Sequence, residues 1–123
     1  MPKEILIIED EKILLELLQK KLAQKGYEVR IAEDGIVGLE KIREKKPDLI
    51  LLDVIMPKMG GFEVMKELQK EEAFSKIPII IISNSGQPVE LDLAQKLGAK
   101  DWLIKTDFDP QEVIEKVIKQ IGK

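Results

Sequence analysis

The chain has 123 residues, 44 % of them hydrophobic and 35 % charged, with a formal net charge of -3; that is enough for one domain with a real core, and it lacks the basic excess of a dedicated nucleic-acid surface. Cysteine and histidine are both absent, which excludes disulfides, thiolate and imidazole metal sites, cysteine nucleophiles and serine–histidine catalysis. No apolar run approaches the roughly 18 residues that span a bilayer, and Pro2-Lys3 lead directly into a strand-like run, so a cytoplasmic protein with no secretory leader is expected.

The first predicted strand is Ile5–Ile8. Helical spacing follows and closes near Gly26, a residue suited to a left-handed C-cap. A second strand-like run, Glu28–Ile31, leads to a helical stretch closed by Pro47. The third strand, Leu49–Leu52, is apolar at every position and ends on Asp53; an apolar turn with Pro57 and the pair Gly60-Gly61 comes next. After another helical stretch, Pro78–Ile82 predicts a fourth strand that ends at Ser83. The following helix is expected to bury Val89, Leu93, Ala94 and Leu97, to expose Leu91, and to close at Gly98. Trp102–Ile104 predicts the fifth strand, with Lys105 beyond it. Asp109-Pro110-Gln111-Glu112 then reads as an N-cap acid, a proline at the first helical position and a capping-box glutamate. The last helix carries a stripe of Val113, Ile114, Val117, Ile118 and Ile121.

Runs that are apolar at every position need cover on both faces, which helices flanking a parallel sheet provide. Five βα units without a linker predict one α/β domain over residues 1–123. Right-handed crossovers make it a doubly wound, flavodoxin-like three-layer sandwich with strand order 2-1-3-4-5 and a switch point between strands 1 and 3. Ligands of such sheets bind beyond the carboxyl ends of the strands.

Glu9 and Asp10, with Glu11 next, lie at the end of the first strand; Asp53, Ser83 and Lys105 end the third, fourth and fifth. All fall on one rim. Crowded carboxylates repel, so they need a cation or must retain a proton. With oxygen ligands alone, the cation expected is magnesium or a similar hard ion, which takes substrate phosphate oxygens as further ligands. That points to phosphoryl chemistry, with Asp53 as the attacking carboxylate, Ser83 as a hydrogen-bond donor to the phosphoryl group and Lys105 as its counter-charge.

The segments IIED at 7–10, LLDVIMPKMGG at 51–61, IIS at 81–83 and LIK at 103–105 resemble the receiver domain of two-component response regulators, and the whole chain is similar to the stand-alone chemotaxis type. The resemblance implies that Asp53 accepts a phosphoryl group from a sensor histidine kinase or a histidine phosphotransfer protein. It implies that Mg2+ is held by Glu9, Asp10, Asp53 and the backbone carbonyl of Ile55. Ser83 becomes the switch hydroxyl, Lys105 the lysine that bonds the phosphoryl group, and Trp102 the aromatic switch. It further implies that the protein catalyses only its own phosphorylation and dephosphorylation. The signal would be read on the fourth helix, fifth strand and fifth helix by a downstream output protein or domain.

Three departures from the family pattern stand out. The first acid is Glu9 where Asp is commoner. Trp102 is bulkier than the usual Tyr. Thr106 follows Lys105 where the family has a proline in a cis peptide; a cis bond to a non-proline costs roughly 3 kcal/mol, so the loop is either trans and reshaped or strained. The apolar Ile55, two residues past Asp53, suggests slow hydrolysis of a phosphoaspartate. Leu91 is a candidate contact for a partner or for a phosphorylation-driven homodimer. A receiver-like interaction module that is never phosphorylated is the alternative reading. An aspartate-nucleophile phosphatase would need a second acid where Ile55 stands. A nucleotide-binding fold would need a glycine-rich loop after the first strand.

Overall fold

Strand and helix alternate five times in a computed structural model that describes residues 2–84, 87–106 and 109–123. In order the elements are β1 (Glu4–Ile8), α1 (Lys12–Gln24), β2 (Glu28–Ala32), α2 (Gly35–Glu44), β3 (Leu49–Asp53), α3 (Gly61–Gln69), β4 (Ile79–Ser83), α4 (Pro88–Lys96), β5 (Ala99–Ile104) and α5 (Pro110–Ile121). All strand pairs are parallel, in the order β2-β1-β3-β4-β5. This is the doubly wound, flavodoxin-like order expected from the sequence. β1, β3 and β4 are buried at every position, whereas β2 and β5, the edges, are only partly so. The all-apolar runs thus mark the three central strands.

Alternation along each strand divides the core in two. Ile5, Ile7, Leu49, Leu51, Ile80, Ile82 and Leu103 face α1 and α5, which bring Leu15, Leu18, Leu22, Val113, Ile114 and Val117. Leu6, Ile8, Ile50, Leu52, Ile79 and Ile81 face the other side, where Leu39, Ile42, Val64, Met65, Leu68 and Ala94 meet them. Each fully buried Leu or Ile contributes roughly 1.5–3 kcal/mol. A one-residue slip of β3 would turn its apolar set over and swing Asp53 to the other face, so core packing holds the acid in place.

The helix boundaries follow the punctuation. Gly26 and Gly98 take φ of 98° and 101° after α1 and α4, the left-handed exits that glycine adopts without strain. Asp109 caps α5, its side chain accepting the Glu112 backbone N–H at 3.0 Å. At the far edge of the sheet the buried Glu4 pairs with Arg30 at 2.5 Å and Lys45 at 2.8 Å, and Arg30 also donates to the Lys41 carbonyl at the end of α2.

One sequence expectation is corrected. α4 buries Ala94, with Leu97 half-buried behind it, but Val89 is 81 % exposed and Leu93 also faces solvent. α4 packs on β5, the edge strand, and so has little sheet beneath it to cover a full stripe. Leu91 is exposed as expected, at 37 %. It lies beside a shallow groove of about 260 Å³ shared with Ala94, Gln95, Ala99 and Trp102.

Candidate functional site

The carboxyl edge of the sheet gathers the residues that the sequence placed there. Glu9 continues the parity of Ile5 and Ile7, Asp53 that of Leu49 and Leu51, and Lys105 that of Leu103, so all three side chains emerge on the α1/α5 side. They meet. The Lys105 ammonium donates to Asp53 Oδ2 at 3.1 Å and to Glu9 Oε2 at 3.0 Å. It also donates to Glu11 Oε1 at 3.0 Å. Lys105, Glu9 and Asp53 are nearly excluded from solvent, while Glu11 is 54 % exposed.

The loop after β3 explains how Asp53 is held. The Gly61 N–H donates to the Val54 carbonyl at 2.8 Å, which folds the start of α3 back over the strand end. A Cβ at position 61 would stand 2.3 Å from the Asp53 carbonyl oxygen and one at 60 would stand 2.8 Å from that of Val54. The glycine pair is therefore required by close backbone approach. Between strand and glycines the chain turns through Lys58 at φ 67°, a left-handed conformation that costs a non-glycine residue about 1–2 kcal/mol.

The Lys105–Thr106 peptide is trans, as no peptide bond among the described residues is cis. The trans alternative therefore holds, and Lys105 still reaches Asp53. Its backbone N–H donates to the Ser83 carbonyl at 2.7 Å, which extends the β4–β5 ladder by one bond. Ser83 is buried at the end of β4, on the parity of Ile79 and Ile81 and so toward α3 and α4. Trp102 lies on that same face of β5, half-buried against the core. Ile55 stands apart, its side chain 72 % exposed.

The charges do not balance. Among the described residues Lys105 pairs with three carboxylates, Glu9, Glu11 and Asp53, and Asp10 adds a fourth acid beside them. Burial and the charge of Glu9 push Asp53 up to about 7, against the opposing pull of Lys105. Burial likewise raises Glu9, opposed by the Glu11 backbone N–H and by Lys105. Burial alone would lower Lys105, but its hydrogen bonds to Glu9 and Glu11 and the charges of Glu9 and Asp53 outweigh that and hold it protonated. The cluster can relieve its repulsion by keeping a proton or by taking a cation.

The donor set fits a hard divalent ion. Glu9, Asp10 and Asp53 each offer a carboxylate oxygen, all within 4.8 Å of one another. Glu9 Oε1 is buried with no hydrogen-bond partner, a costly state for a carboxylate oxygen that a metal ligand would not suffer. Asp10 is exposed and gives the site a side open to water, as magnesium sites usually have.

Glu11 lies on this rim in sequence, but its contact with Lys105 depends on the path of two loops, and the third consecutive acid in Glu9-Asp10-Glu11 is its one sequence signal.

Comparison with known proteins agrees with this geometry. The family model described as the response regulator receiver domain matches residues 5–118. The alkaline phosphatase synthesis transcriptional regulatory protein PhoP of Bacillus subtilis (strain 168) is 39 % identical over 117 residues, covering 95 % of this chain and 48 % of that protein. The chain spans about half the length of the curated relatives it matches. Among solved structures, the Vibrio cholerae chemotaxis protein CheY4 superposes with a TM-score of 0.92 at 27 % identity, over 98 % of this chain and 100 % of that one. The receiver domain of sensor histidine kinase PA1611 from Pseudomonas aeruginosa PAO1, with a magnesium ion coordinated in its active site cleft, gives 0.88 at 25 % identity over 100 % of both chains.

Proposed function

The chain belongs to the response regulator receiver domain family, and from that premise we propose that it accepts a phosphoryl group on Asp53 and uses the modification as a signal. The observation that carries this reading is the buried contact of Asp53 with Lys105 at 3.1 Å, beside the oxygens of Glu9 and Asp10. An Asp53 carboxylate oxygen attacks the phosphorus of a phosphohistidine on a sensor kinase or phosphotransfer protein. The new O–P bond forms as the P–N bond breaks, and its electron pair leaves on the imidazole. Lys105 presents its positive charge to the transferring phosphoryl oxygens. Ser83, at the end of the neighbouring strand, supplies a hydroxyl to the same group.

Glu9, Asp10, Asp53 and the backbone carbonyl of Ile55 would hold Mg2+, which when bound supplies charge neutralisation at the phosphoryl oxygens. The chain's own catalysis is limited to forming and losing its aspartyl phosphate. The new charge at the rim alters the packing of the loops after β4 and β5. Trp102 and the exposed leucines of α4 carry the change to the α4–β5–α5 surface, where an output protein or domain, or a second copy, reads it. The absence of a membrane-spanning helix among the described residues is compatible with action in the cytoplasm beside the kinase.

The test is incubation with Mg2+ and acetyl phosphate followed by intact mass. One phosphoryl adduct is expected on the wild-type chain and none on Asp53→Asn. No adduct on the wild type would leave the phosphorylation-independent interaction module as the better account. After removal of the donor the adduct is expected to persist for minutes or longer, because Ile55 offers attacking water no polar group; decay within seconds would rule that out.

A further inference from the structure

Lys105 has three N–H groups, and three carboxylates already take them: Glu9, Glu11 and Asp53, all at 3.0–3.1 Å. Phosphoryl oxygens arriving at Asp53 add acceptors that the ammonium can reach only by giving something up. The three partners differ in what release would cost. Glu9 is 1 % exposed, so without Lys105 its buried Oε2 would keep, among the described residues, only the Glu11 backbone N–H. Asp53 is 3 % exposed and carries the incoming group itself. Glu11 is 54 % exposed, so water replaces the lysine there at little cost.

Among the described residues the Glu11 carboxylate bonds no group but Lys105. Glu11 occupies the N-cap position of α1, yet its side chain makes no capping hydrogen bond.

Resting on the assignment of Asp53 as phosphoacceptor, we propose that Glu11 is a positioning residue that competes with the phosphoryl group for Lys105. In the unmodified protein the Glu11 carboxylate draws the ammonium toward the β1–α1 loop and away from full engagement with Asp53. Phosphorylation exchanges this contact for one to a phosphoryl oxygen, and Glu11 turns to solvent. Glu11 therefore sets how readily the site accepts phosphate from a given donor.

Two substitutions separate this from a general charge effect. Glu11→Gln removes the charge and keeps the length; Glu11→Asp keeps the charge but is one methylene too short to hold Lys105. Competition predicts that both lower the acetyl phosphate concentration for half-maximal phosphorylation at saturating Mg2+, by roughly two- to fivefold, the range an ion pair of this exposure supports. The gain should shrink in high salt, which screens an ion pair whose acid is exposed. The melting temperature should separate the two variants, since Asp caps α1 and Gln does not; a purely structural role would make the phosphodonor response follow stability instead. If Glu11→Asp matches the wild type while Glu11→Gln alone gains, or if neither gains, the proposal is overturned. No adduct on the wild-type chain would overturn the Asp53 assignment along with it.

Discussion

Asp53 sits where two demands conflict. As the proposed nucleophile and metal ligand it would have to be ionised, yet burial and Glu9 push it up to about 7. The folded chain therefore holds a proton on Asp53 at pH values where the unfolded chain has released it. Folding stability contributed by this group is fully present below the ordinary carboxylate range and is lost as pH rises toward about 7. The slope is at most about 1.4 kcal/mol per pH unit for one proton. Glu4 acts in the opposite sense: burial would raise it, but the hydrogen bond from Lys45 and the charge of Arg30 bring it below its ordinary value. Its contribution is lost at acid pH, which leaves the window between about pH 5 and 7 to Asp53 and Glu9. Urea unfolding without divalent ions should show stability falling with pH across that window. Asp53→Asn should flatten the fall, and an unchanged slope in that variant would place the proton elsewhere.

Among the elements, the β3–α3 connection is the most constrained. Gly61→Ala would put a methyl group 2.3 Å from the Asp53 carbonyl oxygen, and backbone must move to admit it. Overpacking of this kind costs about 1–3 kcal/mol, and here it also shifts Asp53, the proposed phosphoacceptor. Thermal unfolding and the rate of phosphorylation should fall together, whereas Gly122→Ala at the chain end should leave the rate unchanged; full activity in Gly61→Ala would show that the loop tolerates the displacement. Central strands could be read from the sequence because burial on both faces forces apolar residues at every position, as in Leu49–Leu52. The caps at Gly26, Gly98 and Asp109 could be read because each depends on one residue's local conformation. Val89 and Leu93 were misplaced because periodicity records which residues are apolar, not whether a sheet lies beneath them, and α4 packs on an edge strand. Glu11 gave only a faint signal because its partner lies 94 residues away.

For the whole molecule, strand order brings the site together. β1 and β3 are neighbours and β5 is an edge separated from β3 by β4, so Glu9, Asp53 and Lys105 converge only when these four strands pair. Binding at that rim is therefore linked to global stability. Because the ligand carboxylates must be free of protons, Mg2+ should raise the melting temperature more at pH 8 than at pH 6. Chelation should reverse the gain, and Asp53→Asn should lose most of it; an equal gain at both pH values would argue against these carboxylates as the ligands.

Asp53 is proposed to carry the phosphoryl group. Borohydride reduction of the chain after treatment with acetyl phosphate and Mg2+ would test it directly, since an aspartyl phosphate is reduced to homoserine and peptide mass spectrometry then locates the residue. Homoserine at position 53 alone is the expected result. Homoserine at Asp10 or any other acid, or none at all, would contradict the account.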